Sequence, residues 1–193
     1  TQNPHILRFH MANITGIPEH KIRVVAKDVG GGFGSKIPVY GGEALACMAA
    51  RDLGRPVRWS EDRSENYVAT THGRDHIQDV ELAARRDGTI TGLRVKSWAS
   101  MGAYLSTAAP GVPTWLFGLI VPGCYHIPNT GVTVYGVLTN NTPTDAYRGA
   151  GRPEATYVIE RLVDLLAGEL KMDPAELRRK NFIPTDQFPY TVA

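Results

Sequence analysis

The feature that most constrains this chain is a glycine-rich loop at residues 30–36. It reads Gly-Gly-Gly-Phe-Gly-Ser-Lys, with glycine at four of the five positions 30–34, and it follows the apolar run 22–27 after two residues. Such a run predicts a strand that enters a tight turn without side chains. Because glycine lets backbone N–H groups come close to a ligand, the loop favours an anion or the oxygens of a metal-oxo group. Phe33 is its one bulky residue, and plain core packing of this ring has little local support.

Two common nucleotide-binding motifs do not fit this loop. A phosphate-binding Walker A loop needs Gly-Lys-Ser/Thr, whereas the order at 34–37 is Gly-Ser-Lys-Ile. The dinucleotide fingerprint G-x-G-x-x-G fails at Ser35 when it starts from Gly30, and at Ile37 when it starts from Gly32. A turn that binds nothing therefore stays an open alternative, since glycine clusters mark turns more often than ligand sites.

Composition places the chain among ordinary globular proteins and excludes several classes. With 42% hydrophobic and 21% charged residues and a net charge of +2, nothing indicates a nucleic-acid or membrane-surface partner. No apolar stretch approaches the roughly 20 residues of a membrane span. Cys47 and Cys124 are too few for a disulfide scaffold and, being flanked by apolar residues, are expected to be buried free thiols. The six histidines lack ligand spacing, so we expect no protein-ligated metal.

Periodicity and turn residues predict an α+β fold, because strands and helices follow one another without βαβ alternation. Residues 101–128 are rich in Gly and Pro and are expected to be irregular, with one helical turn near Trp115. The predicted helices cover 3–15 and 42–53 and begin near 60–63, at Pro153 and at Asp173; the predicted strands cover 22–26, 56–59, two stretches of 75–100 joined by a two-residue turn at Asp87–Gly88, and 132–138.

A second glycine cluster, Ala146–Glu154, lies just before the longest predicted helix and reads Ala-Tyr-Arg-Gly-Ala-Gly-Arg-Pro-Glu. Arg148 and Arg152 are rigid cations that suit an anion or an oxo ligand, and the helix N-terminus adds a positive dipole at the same place. The plain alternative is that Arg148 forms a surface ion pair with Asp145. Together the two loops favour a site for a phosphate-bearing or metal-oxo ligand, but they identify no reaction.

Four motifs give the chain a family resemblance. It is similar to the molybdenum hydroxylases, which comprise xanthine dehydrogenases, aldehyde oxidases and carbon monoxide dehydrogenase large subunits, and most like the last group. The motifs occur in family order as Thr1–Asn3, the loop Gly30–Lys36, Tyr125–Asn129 and Ala146–Glu154, and the similarity continues through Leu177–Phe182. The resemblance implies that 1–193 is a single fragment of the molybdopterin cofactor-binding domain of a larger subunit, an oxidoreductase.

The resemblance also implies roles for individual residues. Gln2 corresponds to a glutamine that hydrogen-bonds an oxo ligand of molybdenum, and Arg148 to an arginine of the second active-site loop; both are the expected catalytic residues. The expected cofactor-binding residues lie on the two loops and at the N-terminal end of the chain: Gln2, Gly31, Gly32, Phe33, Gly34, Arg148, Gly149 and Ala150.

Cofactor and partners are implied in the same way. The expected cofactor is molybdopterin cytosine dinucleotide with molybdenum, and the expected reaction is hydroxylation with water as the oxygen source. Electrons would leave to an iron–sulfur subunit and an FAD subunit. The family's catalytic Glu lies downstream of these residues, so we expect the fragment to be incomplete on its own. The cytoplasm is the default location, with periplasmic export left open because the natural N-terminus is missing.

Departures from the family pattern narrow the substrate. Carbon monoxide dehydrogenases carry Arg-Cys-Ser-Phe-Arg in the second loop, where the Cys bridges to copper; this chain has Gly149 at that place, so no copper is expected. Xanthine-type enzymes carry a Glu and a Phe where this chain has Ile37 and Ala150. The apolar, roomier combination favours an aldehyde or an N-heterocycle as substrate. The alternative function is a non-catalytic phosphate- or nucleotide-binding module, or a structural one.

Overall fold

A three-stranded sheet carries the core of the protein. The computed structural model describes residues 1–191. Its strands are β1 His76–Ala84, β2 Ile90–Gly102 and β3 Thr130–Leu138, and its helices are α1 Pro4–Thr15, α2 Gly41–Leu53, α3 Arg63–Ala69, α4 Trp115–Gly118, α5 Arg152–Leu170 and α6 Pro174–Asn181. Short 3₁₀ helices cover Glu19–Lys21 and Thr185–Gln187. The mixed content confirms the α+β prediction.

The sheet has the order β1-β2-β3, with β2 antiparallel to β1 and parallel to β3. The central strand β2 is mostly buried at alternate positions, as expected for one face of a sheet that packs on helices. One apolar cluster joins β2 to α4, α5 and α6, for example through Val95, Phe117, Ile159 and Leu177. Each of these side chains is almost fully removed from water. This packing fixes the start of α5 relative to the sheet.

Two of the predicted helices begin where their capping residues indicate. The Asp62 carboxylate accepts the Glu65 N–H, and the Glu65 carboxylate accepts the Asp62 N–H, so α3 begins with a reciprocal capping box. Asp173 accepts the backbone N–H groups of Ala175 and Glu176 at the start of α6. The helical turn near Trp115 and the strand over 132–138 are also present.

Two predicted strands are wrong. Residues 22–26 and 56–59 are irregular, and Val25 and Trp59 in them are half exposed, at 59% and 47%. An extended segment becomes a strand only when a neighbour supplies ladder hydrogen bonds. Within residues 1–191 neither segment has such a neighbour. The first glycine loop is therefore not entered from a sheet strand.

The β1–β2 connection is longer than predicted. Ala84 pairs with Ile90, so the loop spans 85–89 rather than the two residues Asp87 and Gly88. The Gly88 N–H donates to the Arg85 carbonyl at 3.0 Å, and the Asp87 carboxylate accepts from Thr89. The turn chemistry was located correctly, but a bulge near Ala84 moves the end of the ladder.

Both cysteines are exposed and free, which contradicts the prediction that they are buried. Apolar neighbours in sequence do not fix which side of an element faces the core. Cys124, for instance, directly precedes the fully buried Tyr125. No helix in the described part of the chain is long and apolar enough to cross a membrane.

Candidate active site

The two glycine loops, residues 30–36 and 146–152, contact each other directly. The Arg148 N–H donates to the Phe33 carbonyl at 2.7 Å. Gly34, at φ +97°, packs its α-carbon against the Ala146 carbonyl, and a Cβ at this position would lie 2.2 Å from that oxygen. The clasp between the loops therefore needs glycine at 34 for both its conformation and its space.

Gln2 closes the first loop from the N-terminal side. Its N–H donates to the Lys36 carbonyl at 3.0 Å, and its side-chain Oε1 accepts the Gly34 N–H at 3.0 Å. At Gly32 an added Cβ would lie 2.1 Å from the same Oε1, so a side chain here would displace the Gln2 amide from this position. Among residues 1–191 the Gln2 amide nitrogen has no protein acceptor. It is a hydrogen-bond donor available to a ligand.

Phe33 and Arg148 form a pair on the outer side of the clasp. The Arg148 guanidinium carbon lies 5.4 Å from the centroid of the Phe33 ring, a cation–π distance. The ring is 60% exposed, so Phe33 is not a core residue. Arg148 makes no ion pair within the described residues, and the pairing with Asp145 is wrong. The Asp145 carboxylate is instead buried, where it accepts the backbone N–H groups of Ala108 and Ala146.

The turn of the second loop is fixed at both ends. The Ala150 N–H donates to the Tyr147 carbonyl at 2.9 Å, and the Arg152 N–H to the Gly149 carbonyl at 3.2 Å. The Arg152 guanidinium also turns back to the Gly149 carbonyl, at 3.2 Å, rather than facing outward beside Arg148. Ala150 has φ +48°, which costs an L-residue roughly 1 kcal/mol and persists only where the surroundings impose it.

Comparison with known proteins identifies the fold that carries these loops. Residues 1–182 match the family described as the molybdopterin cofactor-binding domain. The chain belongs to this family. It is 50% identical to the carbon monoxide dehydrogenase large chain of Hydrogenophaga pseudoflava, over 99% of this chain and 24% of that protein. It is also 36% identical to the nicotine 6-hydroxylase large subunit of Paenarthrobacter nicotinovorans, again over 99% of this chain and 23% of the relative.

Solved structures agree. Quinoline 2-oxidoreductase from Pseudomonas putida 86 superposes with a TM-score of 0.92 at 37% identity, over 97% of this chain and 24% of that one. Carbon monoxide dehydrogenase from Oligotropha carboxidovorans superposes with a TM-score of 0.88 at 42% identity and the same coverage. The predicted membership in the molybdenum hydroxylases, with likeness to carbon monoxide dehydrogenase large subunits, is confirmed. The domain spans about a quarter of the length of these relatives.

Several residues that hold the loops of this molybdopterin-binding domain escaped the sequence reasoning. The Tyr40 hydroxyl donates to the Ser35 carbonyl at 2.6 Å and so anchors the first loop to the start of α2. Arg74 donates to the Arg148 carbonyl at 2.6 Å. Asp145 ties the second loop to the irregular segment near Ala108. The contacts of Arg74 and Asp145 join residues distant in the chain and so have no local sequence signal, whereas Tyr40 lies only five residues from Ser35.

The exposed face of the clasp carries hydrogen-bond donors and an aromatic ring but no titrating acid or base. His76, whose pKa is lowered chiefly by burial, against the opposing charges of Glu154 and Asp75, lies on β1 beneath the start of α5. Among residues 1–191 no group of three or more His, Cys, Asp or Glu could hold a metal ion.

The residues present fit a molybdopterin group. The close approaches at Gly32 and Gly34 leave the loop backbone without side chains. The Gln2 amide nitrogen and the Arg148 guanidinium offer donors that suit oxygen ligands or phosphate.

Proposed function

We propose that the face formed by Gln2, Phe33 and Arg148 is the part of a molybdenum hydroxylase active site that holds the molybdenum cofactor. The observation that carries this proposal is the clasp itself, in which Arg148 N–H donates to the Phe33 carbonyl and both side chains stay exposed. The loops brought together are the same two that carry the family motifs.

Each residue of the face has a separate task. The Gln2 amide nitrogen would donate to an oxygen of the bound cofactor, and the Arg148 guanidinium would supply positive charge beside it. The backbone at Gly31, Gly32 and Gly34 flanks the cofactor together with the Phe33 ring. Gly149 and Ala150 form the wall of the substrate space. When bound, the molybdenum cofactor supplies the two-electron oxidation in which the substrate is hydroxylated with oxygen from water.

The domain acts within a larger assembly. Its accessible surface is 12272 Å², whereas a self-contained protein of its mass, 21.1 kDa, exposes about 9,000 Å². Side chains such as Val68, Ile77 and Leu138, exposed at 84%, 72% and 64%, are the kind that interfaces cover. We propose that the rest of the large subunit, which supplies the catalytic base, and iron–sulfur and FAD subunits complete the enzyme. The cofactor form is molybdopterin cytosine dinucleotide, and the default location is the cytoplasm.

The second loop supports a site without copper. A thiolate that binds copper would have to stand at position 149, where φ is +110° and an added Cβ would lie 2.5 Å from Pro153 Cγ. A cysteine there would strain the backbone and collide with the proline ring. The chain is more similar to carbon monoxide dehydrogenase large chains than to nicotine 6-hydroxylase, but this turn does not suit the copper chemistry.

The wall residues support the proposed substrate class. Ile37 is an apolar, half-buried residue at the end of the first loop, and Ala150 presents only a methyl group. An aldehyde or a planar N-heterocycle fits such a wall better than a purine, which needs polar partners for its several ring heteroatoms. The relatives named for quinoline and nicotine support the N-heterocycle.

Metal analysis of the full-length subunit with its partner subunits tests the proposal first. We expect about one molybdenum per subunit and no copper, and the highest kcat/KM for quinoline or benzaldehyde among quinoline, benzaldehyde, xanthine and carbon monoxide. Copper together with molybdenum, or carbon monoxide as the best substrate, would contradict the proposal that the turn at Gly149 holds no copper. Properly matured protein without molybdenum would overturn the cofactor site.

A matched pair of variants tests the face. Arg148→Gln should lower kcat/KM on the preferred substrate by about a hundredfold to a thousandfold, the range for losing one donor aimed at developing charge. Arg161→Gln, on the exposed side of α5, should leave the kinetics unchanged. Equal kinetics for the two variants would remove Arg148 from the site.

A further inference from the structure

A segment between α3 and β1 runs alongside the second loop. His72 and Thr144 form an isolated parallel bridge, in which the His72 N–H donates to the Pro143 carbonyl at 3.0 Å and the Asp145 N–H to the His72 carbonyl at 2.7 Å. At Gly73 an added Cβ would lie 2.7 Å from the Tyr147 Cβ. These backbone contacts therefore place the next residue, Arg74, beside the second loop.

The Arg74 side chain contacts the loop in three ways. Its Nη2 donates to the Arg148 carbonyl at 2.6 Å, its guanidinium carbon lies 4.9 Å from the centroid of the Tyr147 ring, and its Nε lies 3.9 Å from Glu154 Oε1. The backbone of Arg74 is itself left-handed, at φ +60°. An unfavourable conformation in a residue with three side-chain contacts indicates that the surroundings impose its position.

Glu154 is well placed to hold this arginine. It is the third residue of α5, its side chain is only 11% exposed, and its Oε2 is buried without a hydrogen-bond partner among the described residues. A carboxylate this buried is stable when a cation lies beside it. The helix N-terminus also favours its charge. Glu154 thus links Arg74 to the rigid start of α5, while Arg74 links to the loop.

We propose that Arg74, held by Glu154, is a positioning residue that fixes the turn 149–151 through the Arg148 carbonyl. This inference rests on the proposed function, because it assigns the turn's orientation to a residue outside both loops. The Arg148 carbonyl belongs to the peptide bond with Gly149, where the turn begins. By binding this carbonyl, the Arg74 guanidinium fixes the orientation of that peptide plane. Without it, Gly149 and Ala150 lose their fixed orientation relative to Arg148, whose own N–H stays bound to the Phe33 carbonyl.

We call the contacts of Arg74 with the Arg148 carbonyl and Glu154 the brace. Hydrogen exchange in the full-length subunit tests the brace without relying on activity. Arg74→Gln should speed exchange of the Ala150 and Arg152 amides about tenfold or more, the effect of losing a hydrogen bond to a charged group. For Arg74→Lys we expect exchange rates between those of the wild type and Arg74→Gln. Its ammonium reaches the Arg148 carbonyl but cannot also make the planar contacts of a guanidinium with Glu154 and Tyr147. The control Arg94→Gln removes an exposed arginine that pairs with Glu81 and should exchange as wild type.

A second readout separates positioning from general destabilisation. In protein that still holds molybdenum, the EPR spectrum of the dithionite-reduced metal should change in Arg74→Gln and be partly restored in Arg74→Lys. Glu154→Gln should also speed the exchange in a wild-type background but add little to Arg74→Gln. If Arg74→Gln does not fold, the lysine and Glu154 variants carry the same comparison.

The outcomes are distinct for the two proposals. Wild-type exchange at Ala150 and Arg152 in the Arg74→Gln subunit would overturn the brace, whatever the metal content. Faster exchange with an unchanged metal spectrum would contradict the proposal that Arg74 positions the turn relative to the metal site. A wild-type subunit without molybdenum would overturn the proposed function, while the exchange comparison would still decide whether Arg74 holds the loop.

Discussion

Replacing Gly34 with alanine should open the clasp between the two glycine loops. A Cβ at this position lies 2.2 Å from the Ala146 carbonyl oxygen, and real Cβ atoms essentially never approach closer than 3.0 Å. The loops must therefore separate by about 0.8 Å, because the obstacle is backbone rather than a flexible side chain. The Arg148 N–H···O=C Phe33 hydrogen bond, now 2.7 Å, would stretch to the limit of a hydrogen bond.

The energetic effect can be worked from these contacts. Alanine at a φ of +97° costs about 1–2 kcal/mol, the overlap about 1–3 kcal/mol, and the lost hydrogen bond about 1 kcal/mol. The total of about 3–6 kcal/mol shifts the equilibrium from clasped to separated loops by at least about 100-fold, at 1.36 kcal/mol per factor of ten.

The assay is molybdenum content of the full-length subunit, combined with hydrogen exchange at the Arg148 amide. Gly34→Ala should lose most of the metal and the protection of this amide. Gly168→Ala is the matched control, because this glycine lies inside α5 with no atom within 4 Å of an added Cβ. That variant should keep its metal and gain slightly in helix stability. Gly34→Ala subunits with normal metal content and normal protection would refute the argument that the site needs the clasp.

Three predictions concern the scaffold beneath the site, each measured by chemical denaturation of the subunit. Asn181→Ala should lower the unfolding free energy by about 2–4 kcal/mol, because the buried amide donates to two backbone carbonyls and accepts the Ile90 N–H; a loss under about 0.5 kcal/mol would contradict this. Tyr125→Phe should lower the unfolding free energy by about 1 kcal/mol, because it removes the 2.7 Å hydrogen bond to Glu160 while Glu160 keeps its bond from Arg178 on α6. A loss above about 3 kcal/mol would contradict this. The pKa of His76 is lowered in the folded protein, so folding favours the neutral ring. The unfolding free energy therefore keeps its full value above the unfolded pKa of about 6.5 and decreases as pH falls below that value. His76→Gln should therefore flatten stability between about pH 7 and pH 5, and an unchanged slope would argue against burial of the ring.

Local chemistry in the sequence determined most of the elements. Asp62 and Asp173 mark helix starts because their carboxylates satisfy N–H groups only a few residues away. The alternation of apolar residues before Ser100 predicted a strand there, which is β2. Glycine-rich motifs with family-like spacing predicted the family and the residues of the two loops.

Contacts between distant segments were decided only by the tertiary structure. Whether 22–26 becomes a strand depends on a neighbour that no local pattern encodes. Cys124 is exposed although the next residue, Tyr125, is buried. The sequence named Phe33 and Arg148 separately, since each motif is local. Their stacking, the clasp at Gly34 and the brace from Arg74 arise only when loops far apart in the chain pack together, because such contacts depend on space and not on sequence neighbours.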